Sequence, residues 1–248
     1  MSGSAGPLTL AFDIGGTHLK ASVLSPDGKM VEEERKVATP HPSPPDLVVK
    51  DLVELVQPMG RYDRISIGFP GVVRHGLVLT APNLGTDAWR GFGLPGALSK
   101  ALGKPARMLN DATVQGLGAI QGRGLECVIT LGTGMGFALF EDGVPGPHLE
   151  LSQHVAHKEK TYDQWIGDAA LKRVGRKRWL RRVQNAIGQI ATLVNYDTLE
   201  IGGGNARLIK FELPPNITIV PNEAGITGGV RLWDAALDAV FREDATAA

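Results

Sequence analysis

A pattern of strand, glycine turn and second strand occurs twice in the sequence, and this recurrence constrains the fold more than any other feature. The first copy, FDIGGTHLKASVL, begins at Phe12 and is followed by Asp-Gly, and the second, ITLGTGMGFALFEDG, begins at Ile129. Asp13 and Thr130 occupy corresponding positions in the two copies. Internal self-similarity indicates a repeated structural unit. Because strand–glycine–strand hairpins are common, a coincidence of two unrelated hairpins stays open as the alternative.

Apolar runs typical of strands alternate with helical patterns along the chain, as in α/β proteins. Residues 8–14, 19–24 and 29–39 predict three strands in a meander. Residues 46–59 have the apolar spacing of a helix that ends by Pro58.

The second half of the chain continues the alternation of helices and strands. Residues 161–175 and 176–196 predict two helices that are separated around Gly175. Residues 198–209 predict a strand, a triple-glycine turn and the start of a helix, and a terminal helix would have Asn222 as its cap.

The charge balance and the cysteine count exclude several classes of protein. The 26 basic side chains of lysine and arginine equal the 26 acidic ones, which argues against nucleic-acid binding driven by overall charge. Cys127 is the single cysteine, so a disulfide framework or a thiolate-rich zinc site is excluded. No apolar run approaches the roughly 18 residues that cross a bilayer, and the start MSGSAGP does not resemble a signal peptide. We expect a soluble, cytoplasmic protein with neither nucleic-acid nor membrane partners.

Three glycine-rich turns follow predicted strands and could bind phosphate groups. Glycine lets backbone N–H groups approach phosphate oxygens without an intervening Cβ. The three turns are Gly15-Gly16-Thr17, Gly132-Thr133-Gly134 and Gly202-Gly203-Gly204. Neither the P-loop pattern nor a G-x-G-x-x-G between a strand and a helix is present. We therefore predict a phosphate clamp built from hairpin turns, with Asp13 holding Mg²⁺ or its waters.

Six ordered motifs resemble the ROK family of sugar kinases and related repressors. They are DIGGTHLKASVL, GFPGVV, TAPNLG, LNDA, LGTGMGFAL and EIGGGNA, and the likeness spans roughly residues 8–240. KTYDQWIG and NYDTLEIGGGNA are most similar to the glucokinase and polyphosphate glucokinase branch. The resemblance implies an α/β, actin-like (ribonuclease H-like) duplicated fold, in which two lobes with mixed sheets surround a cleft. It also implies a hexose acceptor and a homodimer.

The resemblance further implies how the chain divides into lobes. Residues 1–111, with a C-terminal helix at about 231–248, would form a smaller lobe that carries sugar and phosphate loops. Residues 112–230 would form a larger lobe with nucleotide and sugar contacts. The repressor branch is not expected, because no helix-turn-helix pattern precedes Asp13.

Carried over position by position, the resemblance assigns roles at the sugar. Asp111 would be the general base that accepts the proton of the sugar hydroxyl, a role sufficient for phosphoryl transfer with its loose transition state. Asn83 and Asn110 would hydrogen-bond sugar hydroxyls, and Gly71 would adjoin the substrate. From the residues alone, Asp111 or Asn110 could equally be a helix N-cap, and either asparagine could be a turn residue.

The stretch HLELSQHVAHK, 148–158, matches only part of the family pattern Glu-x-Gly-His for sugar binding. Glu150 fits the glutamate, but Ser152 replaces the glycine and Gln153 replaces the histidine, with His154 one residue later. We favour Gln153 over His154 as the sugar contact, since an amide both donates and accepts hydrogen bonds. The histidine spacing does not support zinc binding, so His148 and His157 are expected on the surface.

The segment LKRVGRKRWLRR, 171–182, contains seven basic residues in twelve positions. Contact with a polyphosphate donor would explain this density, because a chain of phosphates requires arginine and lysine partners. A solvated helix face is the simpler explanation, and the donor stays open between ATP and polyphosphate.

The sequence thus predicts a Mg²⁺-dependent sugar kinase that transfers a terminal phosphoryl group from ATP or polyphosphate to a hexose, with glucose as the expected acceptor. The alternative is a catalytically impaired, ROK-like sugar-binding or regulatory protein, because Gln153 departs from the family pattern.

Overall fold

The computed structural model describes residues 6–220 and 224–242, and the chain divides into two compact units. The first unit comprises residues 1–118 and 225–248, and the second comprises residues 119–224. These units differ from the predicted lobes at both boundaries, and the first unit is the longer one. The reason is that the helix after Asn110 packs against the strand at 64–69 and the 3₁₀ segment at 228–233, both in the first unit.

The first unit contains a five-stranded mixed sheet. The strands of this unit, in chain order, are β1 (Thr9–Ile14), β2 (His18–Leu24), β3 (Arg35–Ala38), β4 (Arg64–Phe69), β5 (Val73–Arg74), β6 (Leu77–Val78) and β7 (Ala106–Asn110). The sheet has the order β3-β2-β1-β4-β7, while β5 and β6 form a separate hairpin. β1 pairs with β2 antiparallel and with β4 parallel, so the predicted meander is followed by a parallel half. The third strand is shorter than predicted, since only Met30 bridges to Leu24 before β3 begins.

The described residues 6–118 contain four α-helices: α1 (Pro45–Val56), α2 (Thr86–Trp89), α3 (Leu94–Leu102) and α4 (Asp111–Leu117). α1 has proline at its first position and buries Val48, Leu52 and Val56, which share one helix face at a spacing of four residues. It ends before Pro58, as predicted, because proline cannot continue the hydrogen-bond ladder.

The predicted C-terminal helix at 231–248 is wrong over the part that the structure describes. A helical turn at Ala224–Thr227 leads into two 3₁₀ segments, Gly228–Trp233 and Ala235–Phe241. Asp234 between them has extended backbone, which separates the two segments. The expected cap Asn222 and residues 243–248 lie outside the described residues.

The second unit repeats the strand order of the first. Its strands are β8 (Leu125–Leu131), β9 (Met135–Glu141), β10 (Val144–Pro145), β11 (Val155–His157), β12 (Lys160–Thr161), β13 (Thr198–Gly202) and β14 (Ile217–Ile219). The sheet has the order β10-β9-β8-β13-β14, with an antiparallel meander followed by two parallel strands. Asp13 pairs with Gly68 across the parallel strands, and Thr130 pairs with Gly202 in the same way. This equivalence confirms the duplication predicted from the two glycine hairpins.

The helices of the second unit are α5 (Tyr162–Ile166), α6 (Asp168–Val174) and α7 (Arg176–Val194). The first predicted helix is thus divided at Gly167, where an added Cβ would lie 2.6 Å from the carbonyl oxygens of Thr133 and Asp163. The predicted break at Gly175 is confirmed. After the triple-glycine turn, Ala206–Leu208 is one 3₁₀ turn instead of a helix.

Each unit has its own apolar core. In the first unit Leu10, Phe12 and Ile67 of the sheet pack with α1, α3 and Trp89. In the second, Ile129 and Ile201 pack with Trp179 on α7. Among the described residues, no helix combines the length and apolar character needed to cross a bilayer.

Two buried carboxylates on adjacent strands make the stability of the second unit sensitive to pH. Glu126 and Glu200 are 1% and 3% exposed. The Glu126 carboxylate accepts hydrogen bonds from the backbone N–H groups of three consecutive residues, 121–123. Glu200 Oε2 is buried and has no hydrogen-bond partner in the described part of the chain. Burial, with a further contribution from Glu126, raises the pKa of Glu200 to about 7.

We expect the Glu200→Gln variant to remove a loss of stability that the parent suffers as the pH rises from about 4.5 to about 7. The unfolded chain releases this proton near pH 4.5 and the folded chain near pH 7, so the free energy of unfolding falls as the pH rises through that window. The loss amounts to roughly 2–3 kcal/mol. Denaturant unfolding at pH 5 and pH 8 measures it. Equal pH dependence in parent and variant would contradict the assignment to Glu200.

Candidate active site

The carboxyl ends of three neighbouring parallel strands bring the predicted polar residues of the first unit to one sheet edge. The register aligns Asp13 on β1 with Gly68 on β4, and Gly68 with Leu109 on β7. Asn110 and Asp111 follow Leu109 directly. Since neighbouring strands lie about 4.8 Å apart, the ends of β1 and β7 are separated by roughly 10 Å. The carboxyl edge of parallel strands is where α/β proteins bind ligands.

Asn110 is the N-cap of α4, so the cap that the sequence left open between Asn110 and Asp111 is Asn110. Its Oδ1 accepts hydrogen bonds from Ala112 N at 2.9 Å and Thr113 N at 3.3 Å. Its Nδ2 donates to the carbonyl oxygens of Gly71, at 3.1 Å, and Phe69, at 3.4 Å. The hydrogen-bonding capacity of this amide is therefore used inside the protein, and its side chain fixes the loop after β4 to the start of α4.

Asp111 occupies the first position of α4 and is half-buried. Its Oδ1 accepts a hydrogen bond of 2.8 Å from Ala112 N. The helix N-terminus favours a negative charge at this position. Gly68 packs beneath it, because an added Cβ would lie 3.4 Å from Asp111 Cα, in van der Waals contact.

Asp13 carries a partly neutralised charge. Its Oδ2 lies 3.3 Å from Lys20 Nζ, and its side chain is 31% exposed. Desolvation by the surrounding protein raises the pKa of Asp13, and the ammonium of Lys20 opposes this rise. A partly exposed carboxylate of this kind fits the one or two carboxylates that Mg²⁺ takes beside phosphate oxygens and water.

The first glycine turn is held by Thr39, a residue that the sequence did not single out. Thr39 Oγ1 donates to Gly15 O at 2.6 Å, and Thr39 N donates to Thr17 O at 3.0 Å. Gly16 lies against Asn83, because an added Cβ would be 2.9 Å from Asn83 Cβ. Asn83, the predicted sugar contact, therefore adjoins the predicted phosphate turn, and its side chain is exposed.

Gly71 is enclosed by the segment that leads to Asn83. An added Cβ would lie 2.0 Å from Thr80 O, which is far inside van der Waals contact. Val72 N also donates to Thr80 Oγ1 at 3.1 Å. The loop after β4, the segment at Thr80 and the side chain of Asn110 therefore form one connected structure.

The other two glycine turns lie side by side in the second unit. Gly203 has a φ of +86°, and an added Cβ would lie 2.4 Å from Leu131 O, directly before Gly132. Asn205 N donates to that same carbonyl at 2.9 Å. Thr133 and Gly204 are exposed. Two of the three predicted phosphate turns thus share one edge of the second sheet.

Asp163 on α5 organises this edge, and sequence reasoning missed it. Its Oδ1 accepts a hydrogen bond of 2.7 Å from Met135 N, and its Oδ2 accepts one of 3.0 Å from Gln153 Nε2. Burial raises the pKa of Asp163, and the two hydrogen bonds oppose this rise. An added Cβ at Gly134 would lie 2.4 Å from Asp163 Oδ1, so a side chain there would displace this carboxylate.

Glu150 joins the same network through Ser152. Ser152 Oγ donates to Glu150 Oε1 at 2.6 Å and accepts from Gln153 Nε2 at 3.3 Å. His148 lowers the pKa of Glu150 most strongly, and the Ser152 hydroxyl adds to this effect. Glu150 and Gln153 thus lie in one polar chain with Asp163, and their contacts with sugar stay predictions.

The surface location predicted for His148 is wrong. Its side chain is 12% exposed, and its Nε2 lies 3.6 Å from Glu150 Oε2. His154 is exposed, and its Nδ1 lies 3.1 Å from Val155 O, so its ring does not enter the network of Glu150 and Gln153 in the described residues. His157 is exposed. Within the described ranges, no group of three or more histidine, cysteine or acidic side chains is arranged to hold a metal ion.

Comparison with known proteins finds similar sequences and similar structures among sugar kinases. Polyphosphate glucokinase of Mycobacterium tuberculosis (strain CDC 1551 / Oshkosh) is 29% identical over 242 residues, which cover 88% of this chain and 88% of the relative. The crystal structure of inorganic polyphosphate/ATP-glucomannokinase from Arthrobacter sp. strain KM superposes with a TM-score of 0.81 and 27% identity, covering 91% of this chain and 98% of the other.

A ROK family glucokinase from Streptomyces griseus, solved with glucose and AMPPNP, gives a TM-score of 0.75 at 21% identity, covering 91% of this chain and 98% of the other. These similarities confirm the predicted actin-like, duplicated α/β fold. The sequence model of the ROK family matches residues 9–146, which is more than half of the chain and includes both glycine hairpins. This protein therefore belongs to the ROK family.

Proposed function

We propose that this protein is a sugar kinase that transfers a terminal phosphoryl group from ATP or polyphosphate to a hydroxyl of a hexose, with glucose as the first candidate. The observation that carries the proposal is the register of β1, β4 and β7. It places the end of β7, where Asn110 and Asp111 lie, at the same sheet edge as Asp13 at the end of β1. Membership of the ROK family supports the same reaction class.

Asp111 is proposed as the general base. Phosphoryl transfer requires little covalent work from the protein, so a carboxylate that accepts the departing hydroxyl proton suffices. The position at the first turn of α4 holds the carboxylate with a fixed backbone hydrogen bond. Asn110 acts in this proposal as a positioning residue, since its amide is used by the helix cap and by Gly71.

The donor phosphates are assigned to the glycine turns. Gly132, Thr133 and Gly134 have a neighbouring turn at 202–204, and both follow strands that run parallel in one sheet. Backbone N–H groups in such turns provide fixed partial positive charges for phosphate oxygens. Asp13 would hold Mg²⁺ through water, and Mg²⁺, when bound, neutralises charge on the phosphates.

A ROK-like sugar-binding or regulatory protein without turnover is the second candidate. The observation that favours it is the hydrogen bond that Gln153 Nε2 donates to Asp163. Gln153 occupies the position of the histidine in the family pattern, and this bond already uses its amide group. An amide cannot gain a proton near neutral pH, so any charge that a histidine would contribute is absent at this position.

A coupled assay of ADP release with a panel of hexoses distinguishes the two candidates. Polyphosphate replaces ATP in a parallel assay that follows the formation of sugar phosphate. Saturable turnover with at least one hexose is the expected result. Calorimetric binding of a hexose without turnover on either donor would contradict the kinase and favour the second candidate.

A further inference from the structure

A groove of about 630 Å³ in the second unit has five lysine or arginine side chains among its eight lining residues. Its walls come from the hairpin β11–β12, from α5 and from α7. The lining residues are His157, Lys158, Lys160, Trp165, Arg178, Arg181, Arg182 and Asn185. The basic segment noted in the sequence therefore supplies three of the five cationic side chains, and the hairpin supplies the other two.

The positive charge of the groove is not compensated by the protein. Within the part of the chain that the structure describes, Lys158, Lys160, Arg178 and Arg181 form no ion pair. Glu159 lies between the two lysines in sequence but does not line the groove. Clustered like charges repel each other, so a bound polyanion would relieve this repulsion.

Arg182 links two of the helices that line the groove. Arg182 Nη1 donates a hydrogen bond of 2.9 Å to Trp165 O, which fixes α7 to α5. Burial lowers the pKa of Arg182, and the neighbouring Arg178 and Arg173 lower it further. Arg178 and Arg181, in contrast, are exposed and project from α7 three residues apart, on one face of the helix.

The chemistry of the lining favours phosphate over a nucleoside. It contains no carboxylate that would repel a polyanion. The Trp165 side chain is buried, and its ring stacks on His157 with centroids 5.2 Å apart and an angle of 13°. That face of the indole is therefore not available to a base. Guanidinium groups, by contrast, bind phosphate oxygens in pairs.

We propose that this groove binds inorganic polyphosphate, with Arg178, Arg181, Lys158 and Lys160 contacting successive phosphates. The inference rests on the proposed kinase function, because the groove would bind the part of the polyphosphate donor that lies beyond the transferred phosphoryl group. The groove adjoins the phosphate turn through one short helix: α5 carries Trp165 in the groove and Asp163 at Met135 and Gly134. A pocket of several hundred Å³ accommodates more than one phosphate unit.

The test is direct binding of long-chain inorganic polyphosphate to the full chain by calorimetry, without sugar. We expect the double variant Arg178→Ala/Arg181→Ala to raise the Kd at least tenfold. The slope of log K against log salt should fall by roughly two, about one for each lost phosphate contact. The charge-reversed pair Arg178→Glu/Arg181→Glu should raise the Kd more than a hundredfold.

The matched control is Arg123→Ala/Lys210→Ala, which removes the same charge from exposed positions of the second unit outside the groove. The control should change the Kd less than twofold, and unfolding midpoints verify that all variants fold. An equal loss in both double variants would mean that only overall charge matters and would overturn the proposal. A polyphosphate Kd in the Arg178/Arg181 variants equal to that of the parent would also overturn it.

A competition experiment with single-stranded DNA distinguishes a polyphosphate site from a nucleic-acid-binding surface. If an oligonucleotide displaces polyphosphate at equal phosphate concentration, the groove is a nucleic-acid surface and the proposal fails. Failure of the kinase proposal is recognised separately, as absence of turnover with any hexose and either donor. The binding measurement requires no turnover, so the two failures are distinguishable.

Discussion

The Asp111→Asn variant should lose about three orders of magnitude in turnover while it still binds the sugar. A general base contributes typically 10²–10⁴-fold, and an amide cannot accept the hydroxyl proton. The amide oxygen can still accept the hydrogen bond from Ala112 N, and Asn110 continues to cap α4. The geometry of the site is therefore retained when the base is removed. Steady-state turnover and calorimetric sugar binding measure the two effects.

Asp46→Asn is the matched control for this variant. Asp46 is an exposed carboxylate in the first turn of α1, within the same unit, so it tests the general effect of removing a charge near a helix N-terminus. That effect is worth only about 0.3–1 kcal/mol in stability. Joint loss of sugar binding and turnover in Asp111→Asn would identify the residue as structural. Turnover within tenfold of the parent would exclude it as the base.

The strands and the duplication were predictable because their signals are local. The apolar runs around Gly15 and around Gly132 alternate or continue over a few residues, and each is bounded by a glycine turn. The structure gives both hairpins the same position in sheets of the same order. The register that aligns Asp13 with Gly68 follows from this topology, since parallel strands end at one edge.

The C-terminal helix was predicted wrongly because tertiary contacts override the local pattern there. Gly228 lies so close to α4 that an added Cβ would be 2.0 Å from Val114 O. Gly229 lies against Ala11, and its carbonyl accepts a hydrogen bond of 2.7 Å from Ser66 Oγ. These segments approach the sheet closely and form short 3₁₀ turns. Such contacts join residues more than a hundred positions apart, which no local periodicity reports.

The hydrogen-bond network of Glu150, Gln153 and Asp163 was predicted only in part from the sequence. Glu150 and Gln153 are close in sequence and were identified, but Asp163 is linked to them through a different helix. The basic groove has the same origin, because Lys158 and Lys160 lie about twenty residues before Arg178. The sequence could not choose between a solvated helix face and an anion site, since that choice depends on what faces α7 across the groove.

The Gly71→Ala variant should be destabilised by about 3 kcal/mol, since an added methyl group here meets backbone atoms and no flexible side chain that could move aside. The Cβ would lie 2.0 Å from Thr80 O and 2.9 Å from Thr80 C. Either the loop after β4 or the segment that leads to Asn83 must shift. Denaturant unfolding of parent and variant measures the loss.

The shift should also weaken catalysis, because Gly71 O accepts the hydrogen bond from Asn110 Nδ2 beside Asp111. Gly96→Ala is the control: Gly96 is exposed within α3, and an added Cβ would meet no atom within 4 Å. Replacing glycine by alanine there should stabilise the protein by about 0.5–1 kcal/mol. If Gly71→Ala were as stable as the parent, the close approach at Thr80 would not be rigid, and Asn110 would have to hold Asp111 in place without it.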